Sequence, residues 1–468
     1  MNWRIKIPKL LLFIIPIVLI VWKLVLFLIY PHVSTDGPWT LSHLFSFMRG
    51  DFNQSMFAHN FDGDIYKTYG LELILYPLYK VAGEINTYKF IIISFLFIST
   101  SAFLIKKITL DQLKSKFLFL ITVTGFLTST YTFGLRSETY VIPFMLLMIF
   151  QAFEIYHEKI KVYRLIIIGF LGALIFLIHP ASTIFTLLLI FYIWINRWIS
   201  FKDFIWIVIA GIVSSFMISG FRLLDYINLF TGSNELEDHS FSLSHVVKYI
   251  SFTPIVLMLI YLGVFKNKNI LKILFLISYI TLTCVFGRSY YFSYFIPFLL
   301  LFFVDMNEFK DPKFNAVTKL ISFGFISFSL LVTHLFPTFQ NLENPVLGST
   351  YRSVLKKADE IGKSLDNNHR IWVTSQLGME VIDQSNSRLH HHFYKTMSGE
   401  KIELEQGDVM LFKSKQKMMD RLNSQVNHSK ENLIITSLIE PVKGHYKITR
   451  PFQERGSEMG LFKVMLKE

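Results

Sequence analysis

The sequence predicts a polytopic α-helical membrane protein with a C-terminal soluble α+β domain. Three observations predict it. Residues 1–340 run as apolar blocks broken by short polar joints, residues 345–468 read as ordinary water-soluble sequence, and only 17% of the chain is charged. A soluble domain carries about 25% charge. The deficit falls almost wholly on the first part, which sets a domain boundary near Pro345.

The apolar blocks lie near 10–30, 88–105, 117–133, 139–153, 165–179, 181–196, 204–221, 248–265, 271–286, 289–304 and 318–336. A helix perpendicular to the bilayer needs roughly 20 apolar residues, so the shorter blocks tilt or extend into the interface, and about eleven spans result. The first block follows Arg4, Lys6 and Lys9, as a signal peptide would. It is longer than a signal-peptide core of roughly 7–15 residues, and Pro31-His32-Val33 follows it instead of a small-residue cleavage site, so it reads as a retained span. The blocks flanking His179-Pro180 count as two spans because of charge. With the N-terminus cytoplasmic, the joints holding Lys106, Lys107, Lys114 and Lys116, then Lys159, Lys161 and Arg164, then Arg197 and Lys202, then Lys266, Lys268 and Lys272, and finally Lys310, Lys313 and Lys319 share one side. That side collects roughly eighteen Lys and Arg against about eight opposite. An odd span count then places residues 345–468 outside the cytoplasm of a bacterial cell membrane.

The net charge of +12 belongs to this topology, since the cations sit in the joints; nucleic acid is not an expected partner. Cys284 is the single cysteine, so an intrachain disulfide or thiolate metal cluster is excluded.

Chemistry points to the outer face. Its first loop, residues 31–87, is long and holds Asp36, Asp51, Asp62, Asp64, Glu72 and Glu84. Loops of that length in a compact domain are usually functional. The stretch Leu71 to Val81 is too short to span and suits an interfacial helix. Asp36 lies just past the first span in Ser34-Thr35-Asp36-Gly37-Pro38-Trp39, held near the membrane by the Gly-Pro turn; a helix N-cap is the plainer account. Asp51 follows a helix stop at Gly50. Asp62-Gly63-Asp64 could ligate a divalent cation through oxygen, or simply form a turn. No other cofactor is called for. A second outer loop, from Arg222 to His245, is acidic. Arg136 with Glu138, His179, and Arg288 with Tyr290 and Tyr291 occupy short outer joints. Arg288 at a helix end can hold a phosphate bidentately at headgroup depth, or can belong to an aromatic belt. Lys23, deep in the first span, either snorkels or pairs. His390-His391-His392 looks like a metal tract, but no acidic residue adjoins it, and a solvated strand or loop accounts for it.

In the C-terminal part, Val354 to Leu365 has helical spacing. Arg370 to Thr374, Leu433 to Thr436 and Leu461 to Leu466 read as strands.

The chain resembles the GT-C superfamily of polyprenyl-phosphate-dependent glycosyltransferases, particularly bacterial members of the protein-mannosyltransferase and aminoarabinose-transferase group. The resemblance rests on Asp36 with the later Gly50-Asp51 step, the run from Tyr69-Gly70-Leu71 through Tyr76-Pro77-Leu78 to Gly83, Leu135-Arg136-Ser137-Glu138-Thr139-Tyr140, and Arg288 with its tyrosines and Pro297. Many members carry two adjacent acids where this chain has Asp36-Gly37, which leaves a second acid and metal dependence open. The resemblance implies a polyprenyl-phosphate sugar as donor, a glycan, lipid or protein acceptor, Asp36 as base, Arg288 and Arg136 on the donor phosphate, and Asp51, Glu138 or His179 as a second acid or acceptor contact. A lipid-linked sugar transporter or flippase would instead place ionisable groups near the bilayer midplane in repeated halves. An oligosaccharide polymerase or ligase would use the rim arginines without needing Asp36.

Overall fold

The computed structural model describes mainly residues 9–29, 70–82, 87–129, 132–135, 137–158, 160–179, 182–219, 255–265, 269–285, 294–304, 316–336 and 345–364, with strand segments between 371 and 467. The helices are α1 (Lys9–Ile29), α2 (Gly70–Ala82), α3 (Thr87–Lys106), α4 (Lys116–Leu127), α5 (Ser137–His157), α6 (Val162–Ile178), α7 (Ser182–Ile195), α8 (Phe201–Ser219), α9 (Ile255–Ile260), α10 (Ile270–Val285), α11 (Phe295–Leu300), α12 (Ala316–Leu330) and α13 (Pro345–Ser364). Turns of π-helix extend α3, α9 and α12, the last through Leu331–Leu335. Each apolar block of the sequence overlaps one of these helices.

Among the described residues, four segments are long and apolar enough to cross a membrane: Leu12–Ile29, Thr87–Gln112, Glu138–His157 and Phe201–Ser219. Shorter apolar helices, including Val162–Ile178 and Ser182–Ile195, pack beside them. The break at His179 is real. α6 ends at Ile178, His179 takes an extended backbone (φ −151°, ψ 97°), and α7 begins at Ser182. The Ser182 hydroxyl donates to the carbonyls of Ile175 and His179, closing the end of α6. The two blocks are therefore two helices, as the charge pattern implied.

Helices α3 to α7 and α11 enclose the core. Phe90, Ile98, Tyr140, Ile149, Ile168 and Phe298 are all buried. Polar groups inside it bond along the chain or across helices at several positions: Ser94 and Tyr140 share a bond of 2.8 Å. α1 and α8 lie at the edge and turn Val21, Val25, Ile212 and Met217 outward. Such faces suit hydrocarbon better than water. α8 rests chiefly on α6. The contact is backbone-close: a Cβ on Gly169 would meet the Ile207 carbonyl oxygen at 2.5 Å and the Ala210 Cβ at 2.7 Å. Small residues permit this approach, which packing in lipid exploits.

The short helix expected in the first long loop is α2. Leu71, Leu75 and Tyr79, four residues apart, are buried, whereas Leu73 and Val81 are exposed. Gly70 abuts Leu177 and Ile178, where a Cβ would come within 2.6 Å of the Leu177 Cβ. α2 therefore lies across the end of α6.

Five strands follow: β1 (Ile371–Val373), β2 (Leu389–His391), β3 (Val409–Phe412), β4 (Leu433–His445) and β5 (Gly456–Leu466), in the sheet order β2-β1-β3-β5-β4. β1 pairs parallel with β2 and β3, and β5 pairs antiparallel with β3 and β4. The predicted strands correspond to β1, β4 and β5. β2 and β3 are additional, because runs of three or four residues carry no readable period. β4 is far longer than its apolar start suggests. Pro441 falls within it, beside the register shifts between Ser437 and Val442; an edge strand tolerates the missing donor. α13 packs against β4 and begins nine residues earlier than the spacing predicted.

Gly169→Leu should lower the thermal unfolding midpoint in detergent by several degrees, an overpacking cost of about 1–3 kcal/mol. Gly211→Ala, whose Cβ would meet the Gly169 carbonyl at 3.4 Å, should be tolerated. Equal effects of the two would contradict the α6–α8 contact.

Candidate functional site

The ionisable side chains sort to the two ends of the bundle. At one end, Arg164 at the start of α6 donates to Glu154 (2.9 Å) and Glu158 (2.7 Å) at the end of α5, and the Gln112 amide also reaches Glu154. Lys272, at the start of α10, donates to the carbonyl of Phe302. Lys106 lies over the Phe13 ring at 3.9 Å. These contacts join helix ends and satisfy the charges where they are buried. They hold the bundle together at this end.

At the opposite end, Glu138, His179 and Tyr294 converge from three elements. Glu138 occupies the first turn of α5, where the helix dipole favours a carboxylate. His179 stands just beyond α6, and Tyr294 just before α11. The His179 Nε2 lies 3.8 Å from Glu138 Oε1, and its Nδ1 lies 3.2 Å from the Tyr294 hydroxyl. The Glu138 side chain is 3% exposed and that of His179 16%, so the imidazole is the member open to the exterior. Phe185 stacks obliquely on Tyr294, with centroids 5.5 Å apart, and Tyr279 backs both Phe185 and Phe295. This aromatic wall keeps Tyr294 in place.

A second basic group lies at the same end. Lys23 of α1 is only 2% exposed, and its ammonium sits 5.6 Å from the centroid of Phe133. Of the two fates open to it, it does not snorkel. The Phe133 ring also meets His334 edge-on, and His334 meets Trp22, whose indole donates to Thr338 at 2.8 Å. Through these contacts the outgoing end of α1, the turn before α5 and the end of α12 form one unit. That turn is strained: Leu135, buried, adopts φ +50°, a left-handed conformation unusual for a leucine. It lies one residue before Arg136.

Of the residues named from the sequence, Glu138 and His179 are brought together here. Asp36, Asp51, Asp62, Asp64, Arg136 and Arg288 lie outside the described residues, as does the acidic stretch around Glu235. Of the histidine run, His390 and His391 belong to strand β2 at the sheet edge. Among the described residues no group of three His, Cys, Asp or Glu is placed to hold a metal ion. Sequence reasoning passed over Tyr294 and left Lys23 either to snorkel or to pair. The only signal for Tyr294 was its place after the Arg288 joint.

The described residues form a helical bundle with several helices apolar enough to cross a membrane, and Glu138, His179 and Tyr294 meet at one of its ends. No family model matches the sequence, and no curated protein sequence matches it. Among solved structures, the chain is similar to the crystal structure of ArnT from Cupriavidus metallidurans bound to undecaprenyl phosphate. That similarity has 10% sequence identity and a TM-score of 0.49, and it covers 96% of this chain and 97% of that one.

The Tyr294–His179 contact should be worth about 1 kcal/mol, as for an ordinary net hydrogen bond. A double-mutant cycle of Tyr294→Phe and His179→Asn, read by unfolding in detergent, should return that coupling. A coupling of zero would remove the contact.

Proposed function

We propose that the protein is a membrane glycosyltransferase of the GT-C kind, which moves a sugar from a polyprenyl-phosphate donor to a hydroxyl acceptor on the extracytoplasmic face. The observation that carries this reading is the convergence of Glu138, His179 and Tyr294 at one end of the bundle. By the charge pattern of the joints, that end faces away from the cytoplasm. Ionisable groups meeting at a helix-bundle end, at headgroup depth, suit a substrate with a lipid tail and a charged head better than a solute crossing the bilayer. A flippase would place such groups at the midplane.

In this reading about eleven spans form residues 1–340. Residues 31–87 form the outer catalytic loop, and residues 345–468 form an extracytoplasmic domain. Asp36 takes the proton of the acceptor hydroxyl as its oxygen bonds to the anomeric carbon, and displacement by a single attacking group inverts that centre. An aspartate of ordinary pKa near 3.9 works here because bond formation makes the hydroxyl acidic. Arg288 and Arg136 neutralise the phosphate that departs. Their places in the sequence support this assignment. Arg136 stands two residues before Glu138 and Arg288 six before Tyr294, so both are tethered to the described cluster.

The test is transfer in membranes supplied with radiolabelled polyprenyl-phosphate sugars. Asp36→Asn should reduce turnover by a factor of about a hundred or more while donor binding and membrane insertion persist. Full turnover in that variant would overturn the assignment of the base.

A further inference from the structure

The place of Glu138 depends on where helix α5 begins, because Glu138 lies in its first turn. The chain reaches that turn through a sparsely populated backbone. Thr132–Gly134 form one turn of 3-10 helix, with Phe133 at φ −95° and ψ 17°, and Leu135 follows at φ +50°. Such conformations persist only where the surroundings over-determine them. Here the Phe133 ring supplies that constraint. It is 2% exposed and is held from three helices. The Phe95 ring of α3 packs on it with centroids 5.6 Å apart, and Phe27 of α1 backs Phe95 at 5.7 Å. His334, in the π-helical turn beyond α12, meets the ring edge-on at 6.2 Å. The ammonium of Lys23 on α1 lies over it, 5.6 Å from the centroid.

We propose that Lys23 and Phe133 are positioning residues for the transfer reaction: the contact between cation and ring sets the turn from which α5 starts, and with it the place of Glu138 against His179. The proposal rests on the glycosyltransferase reading and deepens it. Lys23 stands six residues before the end of α1, roughly 9 Å along the helix. An ammonium enclosed there is costly, whereas a methionine would cover the ring without that cost. The two side chains differ in what they do to the ring. An apolar chain packs against any part of it. A cation is drawn to its face alone, because the negative part of the ring quadrupole lies there. Lys23 therefore fixes the tilt of Phe133 as well as its position.

The flanking contacts show how that tilt reaches Glu138. On one side, the Thr132 hydroxyl donates to the Phe126 carbonyl at 2.6 Å, which ties the turn to the end of α4. On the other, Tyr140, two residues beyond Glu138, shares its 2.8 Å bond with Ser94 of α3. Between these two ties the Phe133 ring anchors the segment that contains the buried, left-handed Leu135. With the ring free to tilt, Leu135 relaxes toward the right-handed region, and the first turn of α5 shifts. Glu138 then leaves its place 3.8 Å from the His179 Nε2. The same ring joins α1 to the end of α12 through His334, so closure of the bundle and geometry at Glu138 are set by one side chain.

The experiment uses membranes containing the full chain and a panel of radiolabelled undecaprenyl-phosphate hexoses and pentoses, with release of undecaprenyl phosphate as the readout and rates taken per folded molecule. On a donor that the wild type consumes, K23M and F133L should each lower kcat about tenfold with little change in KM. The double variant should lose no more than the worse single one. Contacts that either residue makes elsewhere cancel in this cycle, so it reads their mutual contact alone. K23R, which keeps a cation for the ring face, should recover most of the rate. A role in stability alone would change the amount of folded protein and leave kcat and this coupling untouched. If K23M does not accumulate, K23Q takes its place in the cycle and the same outcomes decide. Losses that multiply in the double variant, or unchanged kcat in both single variants, overturn the proposal and leave the glycosyltransferase reading standing. Failure of the wild type to consume any donor in the panel overturns that reading, and this inference with it.

Discussion

A charged side chain in hydrocarbon costs several kcal/mol unless it is paired or reaches water, and a membrane helix can meet that constraint only at its ends or against other helices. The helix bundle obeys it throughout. Arg164 is enclosed but meets two carboxylates, Lys272 meets a backbone carbonyl, and Lys106 lies on an aromatic face. All three tie helix ends together. Apart from Lys23 and His334, the described spans between the ends rely on apolar packing, on serine and threonine hydroxyls bonded back to their own helices, and on close glycine contacts.

The two ends meet the constraint differently. Where Arg164 lies, cations and anions contact each other directly, and the arrangement is structural. At the other end, Glu138 and His179 stand in ion-pair range without a hydrogen bond, Tyr294 holds the ring from the far side, and Leu135 accepts a left-handed backbone one residue before Arg136. A left-handed leucine costs stability, and such costs cluster where geometry serves chemistry. The reading of the molecule as a transferase with its chemistry at this end grows from that asymmetry.

The contacts from Trp22 to Thr338 and from Phe133 to His334 join the first apolar helix to the last. They close the bundle beside the chain segments that lead to the long first loop and to the C-terminal strands. Lys23, an oddity within its own helix, belongs to this closure through the Phe133 ring.

Much of the architecture was legible in the residues alone, because hydrophobic length and the placement of Lys and Arg are one-dimensional properties. The apolar blocks, the break at His179, the short helix α2 and the strands β1, β4 and β5 all follow from them. Glu138 and His179 were legible as outer-joint residues. Their meeting was not, because they lie on different helices and no local period links them. Tyr294 was hidden among neighbouring tyrosines, since its role comes only from the ring it faces. The brief strands β2 and β3 gain their identity from pairing with β1. Composition and charge order thus determined which segments are helical and which end of each carries polar chemistry. Tertiary structure alone decided which of those polar groups touch, because contacts between helix ends depend on how helices pack and not on their spacing along the chain.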